Sequence, residues 1–551
     1  MNKSELTDST QRGSVPRRTF LRQLAAVPVG AALVADSFAP AHAEEPGSSA
    51  ALTSIKPLGK RMGYKRLCLD FHFSEYPDGV LSKADAKNYI GTLKKNGGEA
   101  VLAFVRDHWG NHYYNTTKYH RHPKVNHDLF GEVVAEADKQ GIDVIAYLSI
   151  GWNEFAARAH PDWHMVSSSG VTNHHAGNWT TLCVNTPYGQ QTLEQMSELC
   201  GKYRFKGIWI DIVQYSFSTN APCYCAGCQK LWREAGYGDS IPNPLDGEVR
   251  ARYLDFRDVF LRRYVEAARN AVKAAQPDVL FTHNWGGSFD LDDFIPKEAE
   301  PWGKDYVYQG YMTKYTRALA NGRDFEMYSA RFNQSCDFTV KPVELMRWEA
   351  ASIVAHNGAI EIVDQPNIDG SLEPKAWAVI KEAYRAIDEL SPHLAGTTPY
   401  AEIGVLYSHR NWELQVGRDW TTNVAYDFAG ACKFFADEHL PYDVVVEENL
   451  TPELLSSLKV LVVPNTIALY PKTVQYLSDW CAQGGLLVFD SRSATYDHQA
   501  RRVEKPGFGF IEAGEDYHAR VSWVKPVFDL DSPYLRLNGM AQFKADQVVV
   551  R

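Results

Sequence analysis

The sequence predicts an α/β protein, a (β/α)8 TIM barrel followed by a smaller flavodoxin-like domain. Three observations predict it. Short runs of β-branched and aromatic residues alternate with amphipathic helical stretches from residue 64 to 390. The alternation restarts over residues 400–492, after Ser391-Pro392-His393 and Gly396-Thr397-Thr398-Pro399 punctuate the chain. The length, 551 residues, exceeds what a single core organises.

The barrel is assigned to 64–393. Its strands are read at 66–73, 100–105, 143–150, 207–213, 279–284, 306–311, 325–330 and 359–364. Helical periodicity lies between them at 84–95, 129–140, 189–203, 249–275, 342–356 and 374–390. Eight such units suit a (β/α)8 barrel, whose functional side chains sit at the C-terminal ends of strands. In the second domain, strands at 402–408, 442–447, 460–465 and 486–490 alternate with helices at 424–438 and 471–482, as in a small parallel sheet. Residues 493–551 form an irregular tail without an assignment.

Residues 1–43 look like an export signal. Arg17-Arg18 precede a weakly apolar run at 24–34, and Ala41-His42-Ala43 supply small residues for cleavage. The pattern is that of the twin-arginine route, which places the mature chain in the periplasm or outside the cell. The run is too short to span a bilayer. A polar linker, 44–63, follows. The net charge of −10 gives no electrostatic reason for a nucleic acid or an anionic membrane as partner.

Three of nine cysteines fall in Cys223-Tyr224-Cys225-Ala226-Gly227-Cys228. Thiolates from so tight a loop can converge on one ion, and Cys183 is the candidate fourth ligand. A zinc ion held by four thiolates has no open position for water, so its role would be structural. The remaining cysteines (68, 200, 336, 432 and 481) read as core residues.

Strand four ends Trp209-Ile210-Asp211-Ile212. A carboxylate inside an apolar run is costly unless charge partners or a function offset it. Neighbouring strand ends are also polar and aromatic. They deliver His72, Asp107 and His108, Tyr147 and Trp152, then Asn284 and Trp285, a set able to line a pocket with an apolar floor and polar clamps. The histidines at 108, 112, 120, 122 and 127 raise a catalytic metal site as a minor alternative, although no His-Glu-x-x-His spacing occurs.

These strand ends resemble the retaining α-L-fucosidases of glycoside hydrolase families 29 and 151 and related predicted glycoside hydrolases. His72 matches that family's strand-one histidine, Tyr147 its strand-three tyrosine, and Asp211 its nucleophile after a tryptophan-containing strand four. Asp107-His108-Trp109-Gly110 is an altered form of its strand-two motif. The cysteine cluster and the second domain are similar to the zinc site and trimerisation domain of family 42 β-galactosidases, a domain related to class I glutamine amidotransferases. Where family 42 has an Asn-Glu pair after strand four, this chain has Ile210-Asp211-Ile212, which argues against that family's chemistry.

The resemblance implies a retaining glycosidase acting on carbohydrate, without an organic cofactor, exported as the N-terminal pattern indicates, and a homotrimer by analogy with the family 42 domain. Asp211 would be the nucleophile. The acid/base is sought among Glu298, Glu300, Asp337 and Asp364, with Glu300 taken as acid/base and Asp364 as a pocket carboxylate. The alternatives are a non-catalytic carbohydrate-binding barrel and a β-galactosidase-like hydrolase of another sugar specificity.

Overall fold

The computed structural model describes residues 62–508, apart from 173, 176–178, 214–221, 285–286, 300–305, 334–337, 395–396, 416–423, 490–491 and 505–507. The export segment, most of the linker and the tail beyond 508 lie outside the described residues.

Eight parallel strands form the barrel: β1 (Lys65–Leu69), β2 (Ala100–Arg106), β3 (Asp143–Ser149), β4 (Gly207–Asp211), β5 (Leu280–His283), β6 (Phe294–Glu298), β7 (Asp324–Ala330) and β8 (Ala359–Asp364). They hydrogen-bond in the order β5-β4-β3-β2-β1-β8-β7-β6. Most are buried on both faces, which is why they read as continuous Val, Ile and Leu runs. The sheet has a seam where β5 meets β6. At its base Asp293 N donates to Phe281 O (2.8 Å), and Phe281 N to the Asp293 carboxylate (2.9 Å).

Helices cover the outside, and two show how their own sequence begins or ends them. Asp85 caps the helix Ala86–Lys95 by accepting from Lys87 N, and that helix buries Tyr89, Ile90 and Leu93. Asp128 caps Leu129–Gln140, and Gly141 ends it in the left-handed conformation that glycine tolerates best (φ 64°).

Strand six differs from the sequence reading. Residues 306–311 run into a helix, α1 (Tyr308–Ala320), and the strand is Phe294–Glu298. Pro296 disguises it, because proline cannot donate to a ladder. It is accommodated because β6 pairs with β7 on one side and borders the seam on the other.

At the barrel's base Arg66 reaches Asp324 Oδ2 (2.6 Å) and Glu326 Oε2 (2.5 Å), all three buried. Beyond the barrel, β9 (Ile403–Tyr407), β10 (Tyr442–Val446), β11 (Val460–Val463) and β12 (Leu486–Phe489) form a parallel sheet in the order β10-β9-β11-β12. It docks on α1, where Tyr311 and Tyr315 pack with Val405, Phe428 and Tyr442. Arg317 Nη2 from α1 donates to both Asp443 carboxylate oxygens, at 2.7 and 2.8 Å. No helix among the described residues is long and apolar enough to cross a membrane.

Candidate active site

Asp211 ends β4 at the barrel mouth and is 5% exposed. Burial pushes its pKa up, while three donors that favour the charged form hold it back. Tyr147 Oη donates at 2.5 Å, Asn284 Nδ2 at 3.0 Å and Ile212 N at 2.8 Å. Ile212 has φ 58°, a costly conformation for a β-branched residue. That twist turns its N–H back onto Asp211. Gly151 permits it, since a Cβ there would stand 2.3 Å from Ile212 O.

The same Asn284 Nδ2 also donates to Glu298 Oε1 at 2.8 Å. One side-chain amide therefore ties together the carboxyls at the ends of β4 and β6. Glu298 is exposed at the mouth.

A donor chain ends on Asp211. His108 N donates to His72 Nδ1 (3.2 Å), so the His72 proton sits on Nε2. Nε2 lies 3.5 Å from the Tyr147 hydroxyl, whose own hydrogen goes to Asp211. Burial pushes His72 down to a pKa of about 3, so the imidazole is neutral at ordinary pH. His108 stacks on His72, with ring centroids 3.5 Å apart. Ser149 Oγ donates to Trp152 O (2.9 Å) and therefore accepts from His108 Nδ1 (2.7 Å), which leaves His108 Nε2 as an acceptor. Trp152 and Trp179 stack 5.2 Å apart against His108.

The structure thus brings His72, His108, Tyr147, Trp152, Asp211 and Asn284 together. Asp107 does not join them. It is fully buried, where it accepts from Asn111 N (2.8 Å) and Tyr113 Oη (2.9 Å) and folds its own loop. Asp364 does not join them either. It is 0% exposed, and Arg331 Nε donates to it at 2.7 Å, so it is one half of a buried ion pair. Trp285, Glu300 and Asp337 lie outside the described residues.

Two residues were not singled out from the sequence. Trp179 sits on a short hairpin (His174–His175 with Trp179–Thr180) that carries no strand signal. Asp70 follows β1, accepts from His72 N (3.0 Å) and repels Asp211. Burial raises its pKa to about 6. Its position at a strand end was the available signal.

Beside the mouth, the thiols of Cys183, Cys223, Cys225 and Cys228 all lie within 4.8 Å of one another and are buried. Tetrahedral zinc at about 2.3 Å from each sulfur separates sulfurs by roughly 3.8 Å, so the four can hold a metal ion. Gly227 lets the loop settle on the Cys183 segment, because a Cβ there would meet Asn185 O at 2.1 Å. The outlying histidines form no such group among the described residues.

The fold is a (β/α)8 barrel, and part of it matches a glycoside hydrolase family model. The match is over residues 85–212, to the family described as hypothetical glycosyl hydrolase 6, and that stretch includes β2, β3 and Asp211. No curated protein matches the chain. Among solved structures, alpha-L-fucosidase isoenzyme 2 from Paenibacillus thiaminolyticus is similar, with TM-score 0.66 and 22% identity over 78% of this chain. The chain spans 64% of that fucosidase's length. The β-galactosidase from Bacillus circulans sp. alkalophilus gives TM-score 0.62 at 16% identity, covering 80% of this chain and 73% of its own. The cold-adapted β-galactosidase from Rahnella sp. R3 gives 0.62 at 15%, covering 82% and 74%. At such identities the likeness establishes the fold.

Proposed function

We propose that the protein is a retaining glycoside hydrolase that removes a terminal sugar, of α-L-fucoside type, with Asp211 as nucleophile and Glu298 as acid/base. The observation that carries this reading is the shared Asn284 amide. Its two hydrogen bonds, 3.0 and 2.8 Å long, keep the nearest oxygens of the two carboxyls within the sum of those lengths. That suits the about 5–5.5 Å spacing of retaining pairs rather than the wider gap that admits a water in inverting ones.

Asp211 would attack the anomeric carbon as the bond to the leaving oxygen breaks, and Glu298 would give that oxygen its proton. Glu298 would then take a proton from water, whose oxygen displaces Asp211 and regenerates both groups. The donor chain from His72 through Tyr147 favours the charged form of Asp211 and orients it. His108 Nε2 would accept from a sugar hydroxyl, and Trp152 with Trp179 would cover its apolar face.

The test is hydrolysis of an aryl α-L-fucoside beside an aryl β-galactoside. Turnover of the fucoside is expected, with a loss of about a thousandfold or more in Asp211→Asn. Full activity in that variant would remove Asp211 as nucleophile, and turnover of the galactoside alone would replace the sugar.

Zinc in the four-cysteine site, loaded before export by the twin-arginine route, belongs to the same reading. It would hold the loops after β3 and β4 together and take no part in the reaction. One zinc per chain is expected by mass spectrometry of acid-released metal, and a metal-free or iron-loaded protein would overturn it.

A further inference from the structure

The connection from β5 to β6 differs from the other connections within the barrel. Each of those carries an α-helix, whereas residues 284–293 hold one 3-10 turn, Phe289–Leu291, among the described residues. Parallel strands are ordinarily joined through a helix that packs the return path onto the sheet. Here a histidine takes that place.

Side chains alternate along a strand. Asn284 turns into the mouth, to Asp211 and Glu298, so His283 turns outward. It is 0% exposed. Its ring stacks on Phe289, with centroids 5.4 Å apart, and both of its nitrogens bond the return segment. Nδ1 lies 2.7 Å from Asp292 Oδ1, and Nε2 lies 2.6 Å from Gly287 O. A carbonyl oxygen only accepts, so Nε2 carries a hydrogen. A further proton is held between Nδ1 and Asp292. Burial pushes the pKa of His283 down, while Asp292, Gly287 O and Asp290 push it up by more. The net direction is upward, so the imidazole keeps the proton and donates from both nitrogens. Arg323 fixes the same segment by its backbone, donating to Phe289 O and to Asp292 O (3.0 Å).

Asn284 is held differently on its two sides. Its backbone is laddered to β4, through Asn284 N to Ile210 O (2.9 Å) and Val213 N to Asn284 O (3.2 Å). Towards β6 there is no ladder, because the seam lies there. We propose that His283 is a positioning residue: bonded through both ring nitrogens to the helix-free return segment, it fixes the end of β5 and so holds the Asn284 amide between Asp211 and Glu298. The pair's role rests on the glycosidase reading, and the clamp rests on the hydrogen bonds around His283. Buried as it is, His283 meets no substrate and acts through Asn284.

The experiment is a double-mutant cycle between His283 and Asn284, read as kcat and KM on whichever aryl glycoside, α-L-fucoside or β-galactoside, the wild type turns over. His283→Leu removes both bonds. It is expected to lower kcat per folded chain about a hundredfold and to leave KM within about twofold. In the Asn284→Ala background the same replacement is expected to cost less than about threefold, because the group it positions is already gone. A residue that only stabilised the fold would lower the yield of folded protein and leave kcat per folded chain alone. Unchanged kcat, or equal losses in the two backgrounds, overturns the clamp. If His283→Leu does not fold, Asp292→Asn takes its place in the cycle. A neutral imidazole then has one N–H for two acceptors, and a loss of about tenfold, confined to the background that keeps Asn284, is expected. No wild-type activity, or activity that survives Asp211→Asn, removes the catalytic pair instead. The clamp is then judged in crystal structures of the wild type and the variant. Asn284 displaced from Asp211 supports it, and Asn284 unmoved overturns it.

Discussion

At the base of the barrel Asp324 and Glu326 share the guanidinium of Arg66, whereas at its mouth Asp211 meets a phenol, an amide and a backbone N–H. Both sets are buried on the same eight strands. The Arg66 guanidinium bonds both lower carboxyls and so occupies them. Neutral donors hold Asp211 in place, and among the described residues no cation pairs with it. Asp364 belongs with the base in this respect although it ends β8, because Arg331 occupies it. Position at a strand end selects candidates, and the partner decides between structure and chemistry.

This contrast can be broken first at the base. Arg66→Met leaves two buried carboxyls without their cation and is expected to lower stability by about 3–5 kcal/mol, read from the urea midpoint, while the folded fraction keeps its turnover number. An unchanged midpoint would show that the lower charges matter no more than the upper ones. At the mouth, Glu298→Gln is expected to lower kcat/KM for an alkyl glycoside about a hundredfold and to spare kcat/KM for a nitrophenyl glycoside, whose leaving group needs no proton. Equal loss on both would make Glu298 a positioning residue.

Acid pH tests the buried histidines near the mouth. Burial pushes His72 and His112 down to pKa values of about 3, against about 6.5 in the unfolded chain. Between those values the unfolded chain binds protons that the folded one does not. Stability is therefore complete above the unfolded pKa and is lost as pH falls towards 3. The slope approaches about 1.4 kcal/mol per pH unit for each histidine. His112→Gln is expected to show a shallower loss in a pH series of thermal melts. A slope equal to wild type would mean His112 does not contribute.

The alternation that built the barrel was legible because strands buried on both faces stay apolar along their whole length. Asp211 was legible because a charge breaks such a run. Strand six was not, because Pro296, Lys297 and Glu298 lack that signature and the tyrosine-rich stretch near 306–311 imitates it. The error had a consequence. With β6 unrecognised, Glu298 read as a charge on the same loop as Glu300. The cysteine grouping was legible from spacing alone, since Cys223, Cys225 and Cys228 leave little freedom about where their sulfurs go. Asp107 and Asp364 misled because polarity near a strand end does not reveal which neighbour consumes it. Asn111, Tyr113 and Arg331 do so here, and only Asn111 and Tyr113 are near in sequence.

The seam between β5 and β6 gives the barrel the mechanics of a split ring. Backbone ladders clamp the other seven boundaries. This one is sewn at its base by Asp293 and Phe281, and bridged at its mouth by a side-chain amide, Asn284 to Glu298. A ring cut in this way is compliant across the cut, and most compliant at the end away from the stitching. Glu298 stands on that free lip, while Asp211, one strand back from the facing lip, is anchored by ladders on both sides. The proposed nucleophile thus sits on the stiff part of the ring and the proposed proton donor on the part that gives. A displacement in which one partner must meet a fixed carbon while the other follows a departing oxygen asks for that division of stiffness.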